Sequence, residues 1–371
     1  MFQLGIVPFM YTLYGSEVSL YTGKLRAYLR YKQLPFNEVL STVGVYKKTI
    51  LPKTGVAFIP VVKTPDGEYL QDTARIIDHL EMLHSERSVV PIGAKQRLVS
   101  ELFALWGDEW LVIPAMHYRW NKDNFPFIYQ EFGRVVSPNS PAFIRAYFGK
   151  KLAKKFSGFV PVLGITEHSI PTIENWYENT VLHHLNKHFA DHDYLLGGRP
   201  CIGDFGLMGP LYAHLYRDPA PGNLMKRIAP NVAAWVERMN QACVTSADYV
   251  EHDEIPDTLL PLLKDMFEQQ WPVLNSTATA LSAWRRSHPK ERFIPRSLGE
   301  HSFTMGNISE KRFISSFHQY KQQRVLDTYQ KISDENNAQL AAFLVEIGGL
   351  EHMQMTVEDP VTVEDNKLIF A

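Results

Sequence analysis

The chain has 371 residues, of which 45% are hydrophobic and 21% charged, and its formal net charge is −2. That balance excludes an intrinsically disordered chain and supplies apolar material for more than one core, while the length predicts two to three domains. A charge so close to zero gives no electrostatic case for nucleic acid or an anionic membrane as partner.

The first 85 residues alternate between strand and helix patterns. Met10 to Tyr14 is rich in β-formers and stops at the turn signal Gly15-Ser16. Residues 23–33 set Leu25, Tyr28 and Leu29 on one helical face, with Lys24, Arg26, Arg30 and Lys32 mainly elsewhere. Pro35 ends that helix, Phe36 to Leu40 reads as a second strand and Pro60 to Lys63 as a third. The turn Thr64-Pro65-Asp66-Gly67 then leads into Glu68 to Gln71, closing a hairpin, and Asp72 or Thr73 caps a helix with Ile76, Ile77 and Leu80 on its apolar face. The order βαβ then ββα implies a small mixed sheet with helices on its faces. Residues 85–94, with Pro91 and Gly93, read as a linker. Helical spacing follows over 95–122, 141–157, 169–192, 204–217 and 230–243, broken by prolines. The last section carries helical patterns at 257–286, 311–331 and 334–347, a β-like stretch near His301 to Thr304, and a tail ending Lys367 to Phe370. The predicted units are 1–85, 95–250 and a mostly helical extension over 251–371.

Two cysteines, Cys201 and Cys243, cannot make a CxxC pair, a zinc cluster or a disulfide framework, so a reducing compartment is expected. The opening residues lack a basic segment followed by an apolar one, and no apolar run approaches a membrane span. A soluble cytoplasmic protein without a membrane partner is the expectation. The basic run Lys150 to Lys155 reads as a solvated helix face. His184, His188 and His192 recur every four residues, a spacing that can chelate a metal. Their neighbours are polar and no carboxylate-and-water arrangement accompanies them, so they read as a solvated face, and no metal is expected.

Four local motifs, in order, resemble the glutathione transferase family: Ser19-Leu20-Tyr21-Thr22-Gly23-Lys24-Leu25-Arg26, Ile59-Pro60-Val61-Val62, Asp72-Thr73-x-x-Ile76, and the run from Tyr194 to Phe205. The resemblance covers about residues 8 to 245. It implies a thioredoxin-like α/β N-terminal domain, an all-α domain behind it, glutathione as co-substrate, and a homodimer. The last 120 or so residues lie beyond it.

Conjugation needs the glutathione thiol as thiolate, and a free thiol has a pKa of about 8.5. Ser19, just before a helix predicted to begin near Gly23, offers a hydroxyl donor and the positive end of a helix dipole. By resemblance it is the thiol-activating residue, with Ser16 and Tyr14 as rivals. Leu20 stands where the family has proline. The resemblance further implies a cis Ile59–Pro60 bond that presents the backbone of Ile59 to the peptide. Asp72 and Thr73 would hold the γ-glutamyl end, and Lys47, with Lys48 and Lys53 as rivals, the glycine carboxylate. Tyr21, Met116, His117 and Trp120 would wall a pocket for a hydrophobic electrophile. Trp106, Trp110, Met116, His117, Tyr118 and Trp120 are read as one helix. Cys201 occupies a capping position three residues before Asp204 and reads as structural. The function these readings point to is a detoxifying glutathione transferase. The alternatives are a non-catalytic carrier on the same fold, or a glutathione-dependent lyase or isomerase of aromatic catabolism.

Overall fold

The computed structural model describes residues 10–241, 247–333 and 337–371. Cys243 and the first residues of the helix predicted over 334–347 lie outside the described residues. Strand β1 (Tyr11–Gly15) leads into α1 (Leu20–Tyr31), and β2 (Phe36–Leu40) returns parallel to β1, pairing Tyr11 with Phe36. Helical turns over 43–54 connect to β3 (Val61–Lys63), antiparallel to β1, and β4 (Tyr69–Gln71) closes the hairpin. The strand order is β2-β1-β3-β4, and α2 (Thr73–Leu83) follows. This is a thioredoxin-like α/β unit.

Helix α1 starts three residues before Gly23 because Ser19 caps it, its Oγ accepting the Thr22 N–H at 3.3 Å. Its basic residues do not form a solvated face: Lys24 and Arg26 are each 1% exposed. Each is answered by a carboxylate, Lys24 by Asp108 at 2.8 Å and Arg26 by Glu38 at 2.6 Å. Lys32, also buried, pairs with Glu81 at 2.9 Å. For Lys24 and Arg26 the reason is a second covering layer, the helix α8 introduced below, which packs along α1.

The helical part begins with α3 (Ala94–Glu109) and α4 (Val112–Arg119). The single helix predicted for 95–122 is thus broken at Trp110 and Leu111. Pro114 has no N–H to give the carbonyl of Trp110, which instead accepts from Ile113 in a tighter turn. The aromatic stripe breaks with it: Trp106 packs on Phe103 and Trp176, while Trp120 packs on Phe132. Helices α5 (Phe125–Val136) and α6 (Ala142–Ser157) form a close pair. A continuous helix α7 spans 170–191, followed by α8 (Ile202–Ala213), α9 (Pro219–Ile228) and α10 (Pro230–Asn240). The sequence reading missed α5 and α9, whose prolines stand in the first turn, where a missing N–H costs nothing. Helices α3 and α8 touch backbone to backbone: a Cβ on Gly107 would lie 2.4 Å from the carbonyl carbon of Gly206.

The histidine face is not solvated. His188 is fully buried, bonded to Thr258 Oγ1 at 2.7 Å and to the Tyr194 carbonyl at 3.2 Å, and burial pushes its pKa down to about 4. The turn carrying Thr258 covers it, which no periodicity on α7 could disclose. Cys201 is buried, and burial with the nearby Asp204 carboxylate raises its thiol well above the usual range.

Beyond residue 250, α11 spans 260–287, β5 (Ser297–Met305) and β6 (Ile308–Ser315) form a hairpin, and α12 (Phe317–Ser333) and α13 (Asn337–Glu346) follow. A last hairpin pairs β7 (Val361–Glu364) with β8 (Lys367–Phe370). Residues 311–315, predicted as helix, belong to β6, where Arg312 and Ile314 turn inward on alternate positions. One apolar cluster runs without a break from Tyr11 to Met353. Trp110 meets Phe303 edge-on at 6.0 Å, and Trp176 donates to Asp265 at 2.9 Å.

Candidate active site

The Ile59–Pro60 bond is cis. Beside it, Asp72 caps α2, its Oδ1 accepting from the N–H groups of Ala74 and Arg75, each at 3.1 Å. Asp72 does so at φ 74° and ψ 123°, outside the wells open to an L-residue at low cost, a strain of about 1–3 kcal/mol. Strain of that kind collects at functional sites. Ile59, Pro60, Asp72 and Thr73 line one cavity of about 250 Å³, and Tyr21 joins them from the first turn of α1. The volume is at the small end for ligand pockets.

The opposite wall comes from elsewhere in the chain. Glu109 ends α3 and Val112 opens α4, while Arg296, Arg312, Phe317, His318 and Lys321 come from the segment beyond residue 250. Lys321 Nζ stands 3.3 Å from Asp72 and 3.6 Å from Asp108, which also holds Lys24. Burial works to raise the Asp72 carboxyl, but Lys321, the Arg75 N–H and Lys24 outweigh it and hold it below the usual range. Burial likewise works against the Lys321 charge, and the carboxylates of Asp72, Asp108 and Glu109 overcome it. Tyr21 donates to the Asp108 carbonyl at 3.0 Å. Burial, then Glu109 and Asp108, lift its hydroxyl well above its ordinary value, so it remains a neutral donor. Arg312 is lowered to about 10 by burial, with only partial compensation from Glu109.

The predicted site residues therefore divide. Tyr21, Ile59, Pro60, Asp72 and Thr73 share the cavity. Ser19 is half-buried at the cap of α1 and does not line it; accepting from Thr22 leaves its hydroxyl proton free to donate. Ser16 is buried, its N–H bonded to Thr22 Oγ1 and its carbonyl to the Ser19 N–H. Tyr14 stacks on Tyr69 at 6.1 Å, and burial and that neighbour raise its hydroxyl. Lys47, Lys48 and Lys53 are exposed and outside the cavity. His117 binds Glu174 at 2.8 Å, and Met116 packs on the main core. Trp120 lines a separate cavity of about 240 Å³ with Phe125 and Tyr129. The break between α3 and α4 is what sends these three away, and Val112 takes their place. Sequence reasoning missed Glu109, Arg296, Arg312, His318 and Lys321. Among the described residues, no group of three or more His, Cys, Asp or Glu could hold a metal, and no helix is long and apolar enough to cross a membrane.

Residues 13–88 match the family model of the glutathione S-transferase N-terminal domain, and residues 172–242 that of its C-terminal domain. The models of both domains of the glutathione S-transferase family thus match parts of this chain, in N-to-C order. Solved structures similar to it include a glutathione S-transferase from Rhodospirillum rubrum F11, at 17% identity over 67% of this chain and 99% of that one, TM-score 0.41. The beta-etherase LigF from Sphingobium sp. strain SYK-6 matches at 16% identity over 62% and 94%, TM-score 0.44. A rice transferase in complex with glutathione matches at 17% identity over 64% and 92%, TM-score 0.37. No curated protein sequence matches the chain.

Proposed function

We propose that the protein is a glutathione transferase that binds the tripeptide along Ile59 and activates its thiol from Ser19. One observation carries this reading: the cis Ile59–Pro60 turn, the strained Asp72 cap, Thr73 and Tyr21 converge on a single cavity. In the proposed pose Asp72 receives the γ-glutamyl ammonium, while Thr73 and Lys321 receive its carboxylate, so an acid and a base already paired in the wall serve the two ends of one amino acid. The Ser19 hydroxyl and the positive end of α1 stabilise the thiolate. Its sulfur attacks an electrophilic carbon, a C–S bond forms, and the displaced group leaves with the bonding electrons. The reading includes a cytoplasmic homodimer, which sedimentation velocity tests.

A second reading, a non-catalytic binding protein, is favoured by Ser19 standing outside the cavity lining and by Lys321 already seated on Asp72. Calorimetric titration with glutathione, alongside Ser19→Ala and the ultraviolet thiolate band, separates the two. Binding with a thiolate band that is lost in the variant supports the transferase. Binding without that band supports the carrier, and no binding refutes the transferase.

A further inference from the structure

Arg312 on β6 is 1% exposed, and its Nε and Nη1 are buried without a hydrogen-bond partner. Glu109, the carboxylate that acts on it electrostatically, is taken up by His318 at 3.0 Å, and no described carboxylate forms an ion pair with Arg312. The guanidinium lies instead over the rings of Trp110 and Phe303, at 5.3 and 5.6 Å from their centres. Such contacts return only part of what burying an unpaired ion costs. Arg296, on the same wall, repeats the pattern over Phe58 at 3.5 Å, again without a described carboxylate partner. Val112, Leu163, Phe313 and Phe317 add apolar surface to the same cavity lining. Arg296, Arg312 and Lys321 face Asp72 and Glu109, so among the arginine, lysine and carboxylate side chains the lining carries one positive charge in excess. That suits a monoanion better than a dianion, and a guanidinium fork matches a carboxylate in two places at once.

We propose that the segment beyond residue 250 builds a second subsite for an organic carboxylate with an apolar body, anchored by Arg312 and assisted by Arg296. The bound carboxylate belongs to the acceptor that glutathione attacks. Only that acceptor role rests on the glutathione reading; the carboxylate site stands without it.

The test is calorimetric titration of the full chain with 3-phenylpropanoate and with its uncharged amide, with and without saturating glutathione. Wild-type protein is expected to bind the acid at least about tenfold more tightly than the amide, the worth of one charge-assisted pair. Arg312→Gln is expected to lose that preference while keeping glutathione affinity. Its thermal midpoint is expected to stay level or rise, because the variant removes a buried charge that has no partner within the protein. Arg296→Gln, at an exposed position, is expected to weaken the acid less and carries the test if the first variant does not fold. Equal binding of acid and amide, or an unchanged acid affinity in Arg312→Gln, overturns the proposal. Loss of glutathione rather than of the acid also overturns it, because Arg312 would then hold the carboxylate of the tripeptide. A wild-type protein that binds the acid but not glutathione leaves the subsite standing and refutes the transferase reading alone.

Discussion

Replacing Lys321 by methionine tests whether α12 is held to the α/β unit through charge. Lys321 is 6% exposed and serves two carboxylates, Asp72 at 3.3 Å and Asp108 at 3.6 Å. Removing one partner of a buried ion pair costs about 3–5 kcal/mol when the other charge is left alone. Here the two carboxylates differ. Asp108 keeps Lys24 within 2.8 Å of both oxygens and loses little. Asp72 loses its nearest cation but keeps two N–H donors at 3.1 Å. The expected cost is therefore about 2–3 kcal/mol, below the full range. Adding Asp72→Asn removes the stranded charge, so the double variant should be more stable than the sum of the singles by about 1–2 kcal/mol. Urea unfolding followed by near- and far-ultraviolet dichroism measures all four proteins. The pH dependence supplies a second check. The Asp72 pKa is lowered by folding, so its contribution is complete above the usual carboxylate pKa and is lost as pH falls through the lowered value. Lys321→Met should flatten that acid limb. A single-variant cost below about 0.5 kcal/mol, or strict additivity, would refute the argument.

His188 is neutral when buried, with its pKa lowered to about 4, so its contribution is present above its ordinary value of 6.5 and is lost as pH falls toward 4. Lowering the pH from 7 to 5 should cost about 2 kcal/mol through this group, and His188→Gln should remove that share. His301, also lowered to about 4, retains the rest of the slope; an unchanged slope in the variant would sink the assignment. Gly107→Ala drives a methyl group into the backbone of α8 at Gly206 and should destabilise by about 3 kcal/mol or block folding, read as soluble yield and melting temperature. Phe303→Ala empties the ring facing Trp110 and should cost about 3–5 kcal/mol; full stability in this variant would show that the β5–β6 hairpin does not share the main core.

What the sequence disclosed was what local chemistry decides. The run of β-formers in β1, the Asp72 cap and the Ile59–Pro60 motif are each settled within a few residues, and the last two reach the cavity. Where a proline acts by position, the same reading failed. Pro219 and Pro221 were taken as breaks although each stands in a first turn, and Pro114 was passed over although it ends the α3 pattern. The fate of α1 could not be read locally either, because Lys24 and Arg26 are buried by a helix that begins at Ile202.

The outer wall of the cavity shows the limit most clearly. Lysine and arginine are surface residues by default, so Arg296, Arg312 and Lys321 carry no sign in composition that they face inward. The carboxylates that Lys321 serves, Asp72 and Asp108, lie far back in the chain, beyond any window over which periodicity operates. Strand parity is the one local signal available. On β6, Arg312 shares its side of the strand with Ile314 and lies between Glu310 and Ile314 in the two-residue repeat. A buried cation whose contacts in the protein are aromatic rings completes its pairing only by reaching a buried anion of the protein or by taking one from outside. In this fold Glu109 is already committed to His318, so the second alternative is the one the geometry leaves.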